Sequence, residues 1–209
     1  MNVTITPVGM LGTNCYLLSS ESKSCVLIDP GAQPEKIASI LEEGRYALRS
    51  VLLTHGHWDH IGALKALIEQ YPQAKCYIGA NDKEMLTDPD KSLASMRIPD
   101  VDNYLFTEAL ELREGDELEL DELVIKVMET PGHTLGSVCY ICGDAIFSGD
   151  TLFLESVGRC DLYGGNFDTM RKSLKKLTAL DGDYTVYPGH GESTSLEHER
   201  KNNPYILQG

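Results

Sequence analysis

Apolar residues along the chain change from a strand-like to a helical spacing and back, and these changes predict the order of elements. Strand-like runs occur as NVTITPV, NCYLLSS and SCVLID within the first 30 residues, and as RSVLLT from residue 49. A helix is predicted near residues 34–43, because Ile37, Ile40 and Leu41 share one face. Pro34 lies near its first turn, and Gly44 can end it.

The rest of the chain shows the same mixture of elements. Strand-like runs occur as LEL, LVIKVMET, SVCYIC and DAIFSGD from Leu118 onward, and as YTVYP before a polar helical tail. Helical spacing follows residue 60 and recurs near residues 166–180, in the sets Ile61, Leu64, Leu67, Ile68, Tyr71 and Phe167, Met170, Leu174, Leu177. Residues 81–117 are polar with weak periodicity, which predicts short helices and loops over the surface.

These elements predict one domain. No Pro-, Gly- or Ser-rich linker divides the strands and helices of the two halves. We therefore expect a single α/β domain over residues 1–209, in which helices cover a mixed sheet system on both sides.

Composition and charge exclude several classes of function. The formal net charge of −14 argues against broad attraction to nucleic acid or to an anionic membrane. No apolar run approaches the roughly 18 residues that a membrane span needs. The start, MNVTITPV, lacks the charged and apolar regions of a secretion signal, so we expect a cytoplasmic protein. A small-molecule substrate fits these observations best.

The six cysteines do not suggest a disulfide scaffold in a chain of 209 residues. Cys139 and Cys142 form a CxxC motif, but their surroundings, SVCYIC, alternate like a strand. Residues three apart on a strand point to opposite faces, so we expect buried packing rather than a redox motif or a zinc knuckle.

A cluster of metal-ligating residues lies directly after the strand-like run VLLT. His55, His57, Asp59 and His60 place three imidazoles and one carboxylate within six residues. Alternate residues of an extended turn can address one ion, and Asp59 and His60 can face a second ion where the helix begins. Imidazole with carboxylate suits Zn²⁺, Fe²⁺ or Mn²⁺ better than the all-oxygen cages of Ca²⁺.

Three further candidate ligands, His133, Asp150 and His190, each follow another strand-like run. Strand ends at one edge of a sheet converge, and adjoining glycines permit the tight turns that such a site requires. Those glycines are Gly56, Gly132, Gly149 and Gly189. A single histidine is more often an ordinary polar or core residue, but five of the six histidines share this pattern. The set therefore predicts a metal centre.

A catalytic role for that centre has two alternatives. A structural zinc site closes with four ligands and usually includes cysteine, and no cysteine has ligand-like spacing here. A non-catalytic metal-binding or partner-binding module is the other alternative. Seven ligands for two ions leave coordination positions open for water, which favours catalysis.

The motif HxHxDH followed by separate His, Asp and His residues resembles the metallo-β-lactamase superfamily. Its neighbouring segments are similar to the glyoxalase II-like, or hydroxyacylglutathione hydrolase-like, branch. These segments are TPGHTLGS (130–137), FSGDTLF (147–153), GRCD (158–161), YPGHG (187–191) and NPYI (203–206). The resemblance implies a four-layer αββα sandwich, in which helices flank two mixed β-sheets.

The resemblance also implies a ligand set for two divalent ions, with Zn²⁺ favoured over Fe or Mn. His55, His57 and His133 would hold one ion, Asp59, His60 and His190 the second, and Asp150 would bridge them. Full-length glyoxalase II enzymes continue into a helical domain that helps bind glutathione. Only 19 residues follow His190, so we expect no such domain here, and a smaller thiol conjugate fits as well as glutathione.

These expectations lead to a functional hypothesis. Two ions about 3.5 to 4 Å apart would supply a bridging hydroxide at ordinary pH and stabilise charge on a carbonyl oxygen. With Asp59 and Asp150 as the catalytic carboxylates, we expect hydrolysis of a thioester, whose thiolate leaves without a strong acid. Arg159 and Asp161 of GRCD are candidate substrate-binding residues, and a salt bridge that shapes the loop explains them equally well.

Two rival activities belong to the same superfamily. A persulfide dioxygenase would use one iron held by His55, His133 and Asp150, a subset of the ligands above. A β-lactamase is disfavoured, because β-lactamases similar to this chain replace a histidine ligand with cysteine or lack the bridging aspartate.

Overall fold

Two six-stranded sheets form the centre of the structure, a computed structural model that describes residues 1–98, 101 and 104–208. The first sheet has the order β1-β2-β3-β4-β5-β6, with β1 (Asn2–Val8), β2 (Thr13–Ser19), β3 (Ser24–Ile28), β4 (Ala47–Leu53), β5 (Lys75–Gly79) and β6 (Leu110–Leu112). The second has the order β12-β11-β10-β9-β8-β7, with β7 (Glu117–Leu120), β8 (Leu123–Glu129), β9 (Val138–Cys142), β10 (Ala145–Gly149), β11 (Thr185–Pro188) and β12 (Thr194–Ser195).

Both sheets are mixed. In the first, β1, β2 and β3 pair antiparallel, whereas β3, β4, β5 and β6 pair parallel. In the second, β10 and β11 pair parallel and the other neighbours antiparallel. The helices are α1 (Pro34–Gly44), α2 (Trp58–Ile61), α3 (Leu64–Gln70), α4 (Phe167–Thr178), α5 (Leu196–Asn202) and α6 (Pro204–Leu207), with 3-10 helices at Ala80–Leu86 and Ala94–Met96.

Three apolar layers hold the sheets and helices together. The layer between the sheets includes Tyr16, Leu52, Tyr140 and Phe147, all buried. A second layer packs α1 and α3 on the outer face of the first sheet, through Ile37, Leu41, Leu64 and Leu67. A third packs α4 on the outer face of the second sheet, through Met170, Leu174 and Leu177. Burial of these faces produces the expected αββα sandwich.

The sequence predicts one helix after the histidine cluster, but the structure has two there, α2 and α3. The backbone amide of Ala63 donates to Pro30 O at 2.9 Å, between α2 and α3. A Cβ at Gly62 would lie 2.2 Å from Gly31 O, so the backbone approaches the β3–α1 turn closely there. This contact with the turn after β3 keeps α2 and the ligands on it in place.

The prediction of a surface position for residues 81–117 is wrong for several of them. Met85, Leu86, Ala94 and Phe106 are buried, and β6 lies in this stretch. Leu86, Ala94 and Phe106 pack in the layer on the first sheet from short 3-10 helices and a loop, which are too short to show a period in the sequence. Four positions of the stretch, 99, 100, 102 and 103, lie outside the described residues.

The expectation for the CxxC cysteines is confirmed. Cys139 packs in the layer beneath α4, and Cys142 packs in the layer between the sheets. All six thiols are free, and five are buried. Among the described residues, no helix combines the length and the apolar character needed to cross a membrane.

Candidate metal centre

The predicted ligands lie where the ends of four strands meet. His55 and His57 follow β4, His133 follows β8, and Asp150 and His190 follow β10 and β11. Because β4 belongs to one sheet and β8, β10 and β11 to the other, the centre lies at an edge common to both sheets.

Hydrogen bonds between the sheets fix this edge. The Tyr140 hydroxyl donates to Leu53 O at 2.7 Å, and the amide of Val138 donates to Thr54 O at 2.9 Å. On the opposite side of the centre, the amide of Asn14 donates to Gly189 O at 2.8 Å. The turns that bear the ligands are thereby held against one another by backbone hydrogen bonds and by the Tyr140 hydroxyl.

Three imidazoles form the first cluster. Nδ1 of His57 lies 2.9 Å from Nε2 of His133, and the ring centroids of His55 and His133 are 4.7 Å apart. Ligand atoms of all three residues lie within 4.8 Å of one another, and all three side chains are buried.

Asp59, His60 and His190 form the second cluster. Asp59 and His60 lie on the single turn of α2, which begins directly after His57. Nε2 of His190 lies 3.2 Å from Asp59 Oδ2 and 3.3 Å from His60 Nε2. One cation at this position would contact all three side chains.

Asp150 lies between the two clusters. Its Oδ1 is 3.4 Å from His60 Nε2, and its Oδ2 is 3.5 Å from His133 Nε2. Each oxygen of this carboxylate therefore faces a different cluster, which is the arrangement that a bridging ligand requires.

Hydrogen bonds to the far side of three of the five rings determine which nitrogen faces the centre. Nδ1 of His133 lies 2.7 Å from Arg159 O, Nδ1 of His190 lies 3.3 Å from Leu11 O, and Nδ1 of His60 lies 2.9 Å from an Asp29 oxygen. Donation from Nδ1 leaves Nε2 as the free lone pair, as is usual for histidine ligands of metals.

Buried polar atoms without hydrogen-bond partners show that these residues fit divalent cations. His55 Nε2, His57 Nε2 and Asp150 Oδ1 are buried and have no hydrogen-bond partner among the described residues. Buried polar atoms without partners are costly, and a cation would satisfy an imidazole nitrogen and a carboxylate oxygen that face the same centre. Imidazole and carboxylate together suit Zn²⁺, Fe²⁺ or Mn²⁺.

The electrostatics of the two clusters differ. Burial, together with neighbouring imidazoles, lowers the pKa of His55 well below its usual range and lowers the pKa of His57 to about 3. Burial also opposes protonation of His60 and His190, but adjacent carboxylates outweigh it. Mainly through Asp59 and Asp150, the pKa of His60 is raised to about 10 and that of His190 is also raised. Burial acts to raise the pKa of Asp59, but contacts with His60, His190 and Thr13 lower it overall.

Sequence reasoning missed two buried carboxylates that support the ligands. Asp29 accepts hydrogen bonds from the amide and hydroxyl of Thr54 at 2.7 and 2.6 Å, in addition to its contact with His60. It ends the run SCVLID, so the same pattern of a polar residue after a strand could have identified it. Asp82 contacts the turns of the first cluster from the 3-10 helix Ala80–Leu86, and no periodicity marks it.

A cavity of about 350 Å³ opens over both clusters. Arg159 lines it, but Asp161 does not. The Arg159 guanidinium donates to both oxygens of Asp161 at 2.6 and 2.7 Å, with both side chains largely exposed. The predicted salt bridge is therefore present, and substrate binding by Arg159 stays a prediction.

Comparison with known proteins gives consistent matches over nearly the whole chain. The family model of the metallo-beta-lactamase superfamily matches residues 8–190. An uncharacterized protein of Mycobacterium leprae is 38% identical over 99% of both chains. The hydroxyacylglutathione hydrolase GloC of Haemophilus influenzae is 32% identical over 99% of this chain and 98% of its own.

Solved structures extend this similarity to the fold. The B3 metallo-beta-lactamase BLEG-1 matches with a TM-score of 0.89 and 32% identity, over 98% of this chain and 99% of that one. TTHA1623 in a di-iron-bound form matches with a TM-score of 0.85 and 34% identity, over 97% of this chain and 100% of that one. ETHE1 from Myxococcus xanthus matches with a TM-score of 0.81 and 32% identity, over 100% of this chain and 85% of that one.

Proposed function

Because the chain belongs to the metallo-β-lactamase superfamily, we propose that it is a binuclear metal-dependent hydrolase that cleaves acyl-thiol esters. The observation that carries the proposal is that six of the seven side chains form two clusters of three, with one oxygen of the seventh, Asp150, facing each cluster. A site for a single ion would leave the second cluster without a metal to bind.

The proposed ligand roles follow the geometry. His55, His57 and His133 would hold one ion, and Asp59, His60 and His190 the other, with Asp150 shared between them. The bound ions would supply a water that is deprotonated near neutral pH and a Lewis acid for the carbonyl oxygen. Zn²⁺ fits this donor set, as do Fe and Mn.

The protein's own groups would orient the reactants. Asp59 stays ionised because its pKa is lowered, and its Oδ2 accepts a hydrogen bond from the Thr13 hydroxyl at 3.0 Å. Thr13 and His190 thus hold this carboxylate on the cavity side of α2. We assign Asp59 and Asp150 as the catalytic carboxylates, which hold the site together and orient the attacking water.

The cavity lining supports a thioester rather than a substrate with a poor leaving group. Apart from the ligands, the described lining residues are apolar or arginine, as the set Met10, Leu11, Trp58, Leu93, Met96, Arg97, Arg159 and Leu162 shows. None of these side chains is suited to protonate a departing alkoxide or amine at neutral pH. A thiolate departs without such an acid, and the similar GloC is named for hydrolysis of a thiol conjugate.

A matched substrate series tests the proposal. The metal-loaded protein should hydrolyse S-acyl thiol conjugates much faster than the oxygen ester and the amide of the same acyl group, and faster than a β-lactam. Asp150→Ala should abolish turnover, whereas Asp90→Ala, an exposed carboxylate outside the cavity lining, should leave it unchanged. Wild-type protein that leaves every thioester intact would overturn the proposal.

A mononuclear-iron persulfide dioxygenase is the second candidate. The similar protein TTHA1623 was solved in a di-iron-bound form, which supports iron as a candidate ion but does not favour a site for one iron over a site for two. Metal analysis with oxygen uptake separates the two: two ions per chain without oxygen consumption favour hydrolysis, and one iron with oxygen uptake on a persulfide favours the dioxygenase.

A further inference from the structure

The mouth of the cavity presents an apolar rim that the metal ligands do not account for. We define this rim as Met10, Leu11 and Met96, which are 85%, 53% and 67% exposed and line the cavity. Met10 and Leu11 lie in the turn between β1 and β2, and Met96 ends the 3-10 helix Ala94–Met96. Two segments distant in sequence thus bring exposed apolar side chains to one opening.

Exposed apolar side chains grouped around a concave site are typical of ligand contact. Single exposed apolar residues are ordinary on protein surfaces, but a group of them beside a pocket marks a binding surface. Leu93, Trp58 and Leu162 line the same cavity, so its wall carries apolar side chains in addition to those of the rim.

Among the described lining residues of the cavity, the two charged residues that are not ligands are both cationic. Asp59 and Asp150 are its acidic residues and already belong to the clusters, which leaves Arg97 and Arg159. Both oxygens of Asp161 pair with Arg159. Within the described part of the chain, no hydrogen bond or ion pair engages the Arg97 guanidinium. In a chain with a net charge of −14, a cation at this opening without a partner among the described residues is notable.

We propose that Arg97 and the apolar rim form a recognition subsite for an anionic acyl-thiol, a thioester that carries a carboxylate on one apolar arm. The planar guanidinium of Arg97 would bind the carboxylate in a bidentate manner, while the arm packs on Met10, Leu11 and Met96. This inference rests on the proposed hydrolysis of thioesters, because it assigns the carbonyl to the metal centre and the distal anion to the rim.

A pair of substrates that differ only in charge tests the subsite. The probes are the acetyl thioester of 3-mercaptopropionate and that of the neutral N-acetylcysteamine. Arg97→Gln should raise KM for the anionic probe about fivefold at low salt, as expected for an exposed ion pair, and leave kcat and the neutral probe unchanged. Arg97→Lys should recover part of the loss, and the control Arg113→Gln, at an exposed residue outside the cavity lining, should match wild type.

A binding measurement separates failure of the subsite from failure of the proposed function. Calorimetry with 3-(methylthio)propionate, a thioether that cannot be hydrolysed, and with its amide requires no turnover. The subsite is supported if wild type binds the acid more tightly than the amide and Arg97→Gln removes this difference. This holds even if no thioester is cleaved. Equal binding of the acid to both proteins overturns the subsite even if thioesters are cleaved.

The apolar rim has its own readout. Each methylene added to the arm of the anionic probe should lower KM about twofold in wild type, less than the full value for complete burial because the rim is exposed. Met10→Ser should abolish this dependence on chain length, and Leu207→Ser, a remote residue that is 60% exposed, should preserve it. Unchanged dependence in Met10→Ser would contradict the placement of the arm.

Discussion

Asp82 Oδ2 accepts a hydrogen bond of 2.6 Å from the hydroxyl of Thr134, a residue 52 positions away in the chain and adjacent to His133. The same carboxylate accepts from the amide of Gly56 at 3.1 Å and from the amide of Gly136 at 2.6 Å. Gly56 lies between His55 and His57, so one fully buried side chain joins the two turns that bear the first cluster. Burial raises the pKa of Asp82, although these hydrogen bonds act against that rise.

Removal of this carboxylate should loosen the first cluster. Asp82→Ala leaves two amides and one hydroxyl without their acceptor, which should lower the free energy of unfolding by about 3 kcal/mol. The first ion should be lost in preference to the second, as measured by metal analysis after dialysis against a weak chelator. Asp90→Ala, at an exposed position shortly after the same 3-10 helix, is the control and should change neither quantity. Equal loss of both ions would show that Asp82 acts on the whole fold rather than on the first cluster.

Affinity for the second ion should depend on pH more steeply than affinity for the first. The pKa of His60 is raised to about 10, so between pH 6.5 and 10 the metal-free second cluster holds a proton that the ion must displace. Affinity should therefore rise about tenfold per pH unit in this range for each proton released. His55 and His57 have lowered pKa values and are already neutral there, so they add no such dependence to the first cluster. Calorimetric titration of the metal-free protein at several pH values measures the affinity for each ion. An equal dependence of the two affinities on pH would contradict the assignment.

Gly189 should be intolerant of a side chain. A Cβ at this position would lie 2.2 Å from Asp150 Oδ1 and 2.8 Å from His60 Cε1. Gly189→Ala should displace the Asp150 carboxylate, reduce metal content to one ion or fewer and lower turnover more than a hundredfold, roughly the cost of losing a transition-state contact. Metal analysis with the thioester assay measures both effects.

A neighbouring glycine provides the matched control for that substitution. Gly191 has φ of +76° and nothing within 4 Å of an added Cβ. Gly191→Ala should therefore cost about 1 kcal/mol of stability through backbone strain and still bind both ions. If Gly191→Ala lost metal as readily as Gly189→Ala, the strain of the turn rather than contact with Asp150 would explain both variants.

The hydrogen bond between the Tyr140 hydroxyl and Leu53 O should contribute to stability more than to catalysis. Tyr140 is fully buried, and Tyr140→Phe leaves the Leu53 carbonyl without this donor. We expect a loss of about 1 to 2 kcal/mol in the free energy of unfolding, measured by urea denaturation, with kcat within about twofold of wild type. A much larger fall in kcat would mean that this bond positions His55 through the end of β4.

The sequence alone was sufficient for much of the candidate site. The seven predicted ligands lie together because each follows a strand, and strand ends at one edge are close in space regardless of the loops between them. The opposite faces of Cys139 and Cys142 likewise followed from the alternation of a strand. In both cases the position of each residue follows from its place within or just after one element.

Contacts that depend on how distant segments pack were decided by the tertiary structure. Asp82 supports the first cluster only because the 3-10 helix Ala80–Leu86 crosses the edge of the first sheet beside Gly136. Arg97 becomes a cavity residue only because its segment lines the same cavity as Met10, about 90 positions earlier. Local periodicity carries no record of such pairings, since a polar residue in an irregular segment has the same pattern whether it faces solvent or a metal centre. The chain's sequence therefore determined the candidate ligands, and the packing of the two sheets and their connecting segments determined what surrounds them.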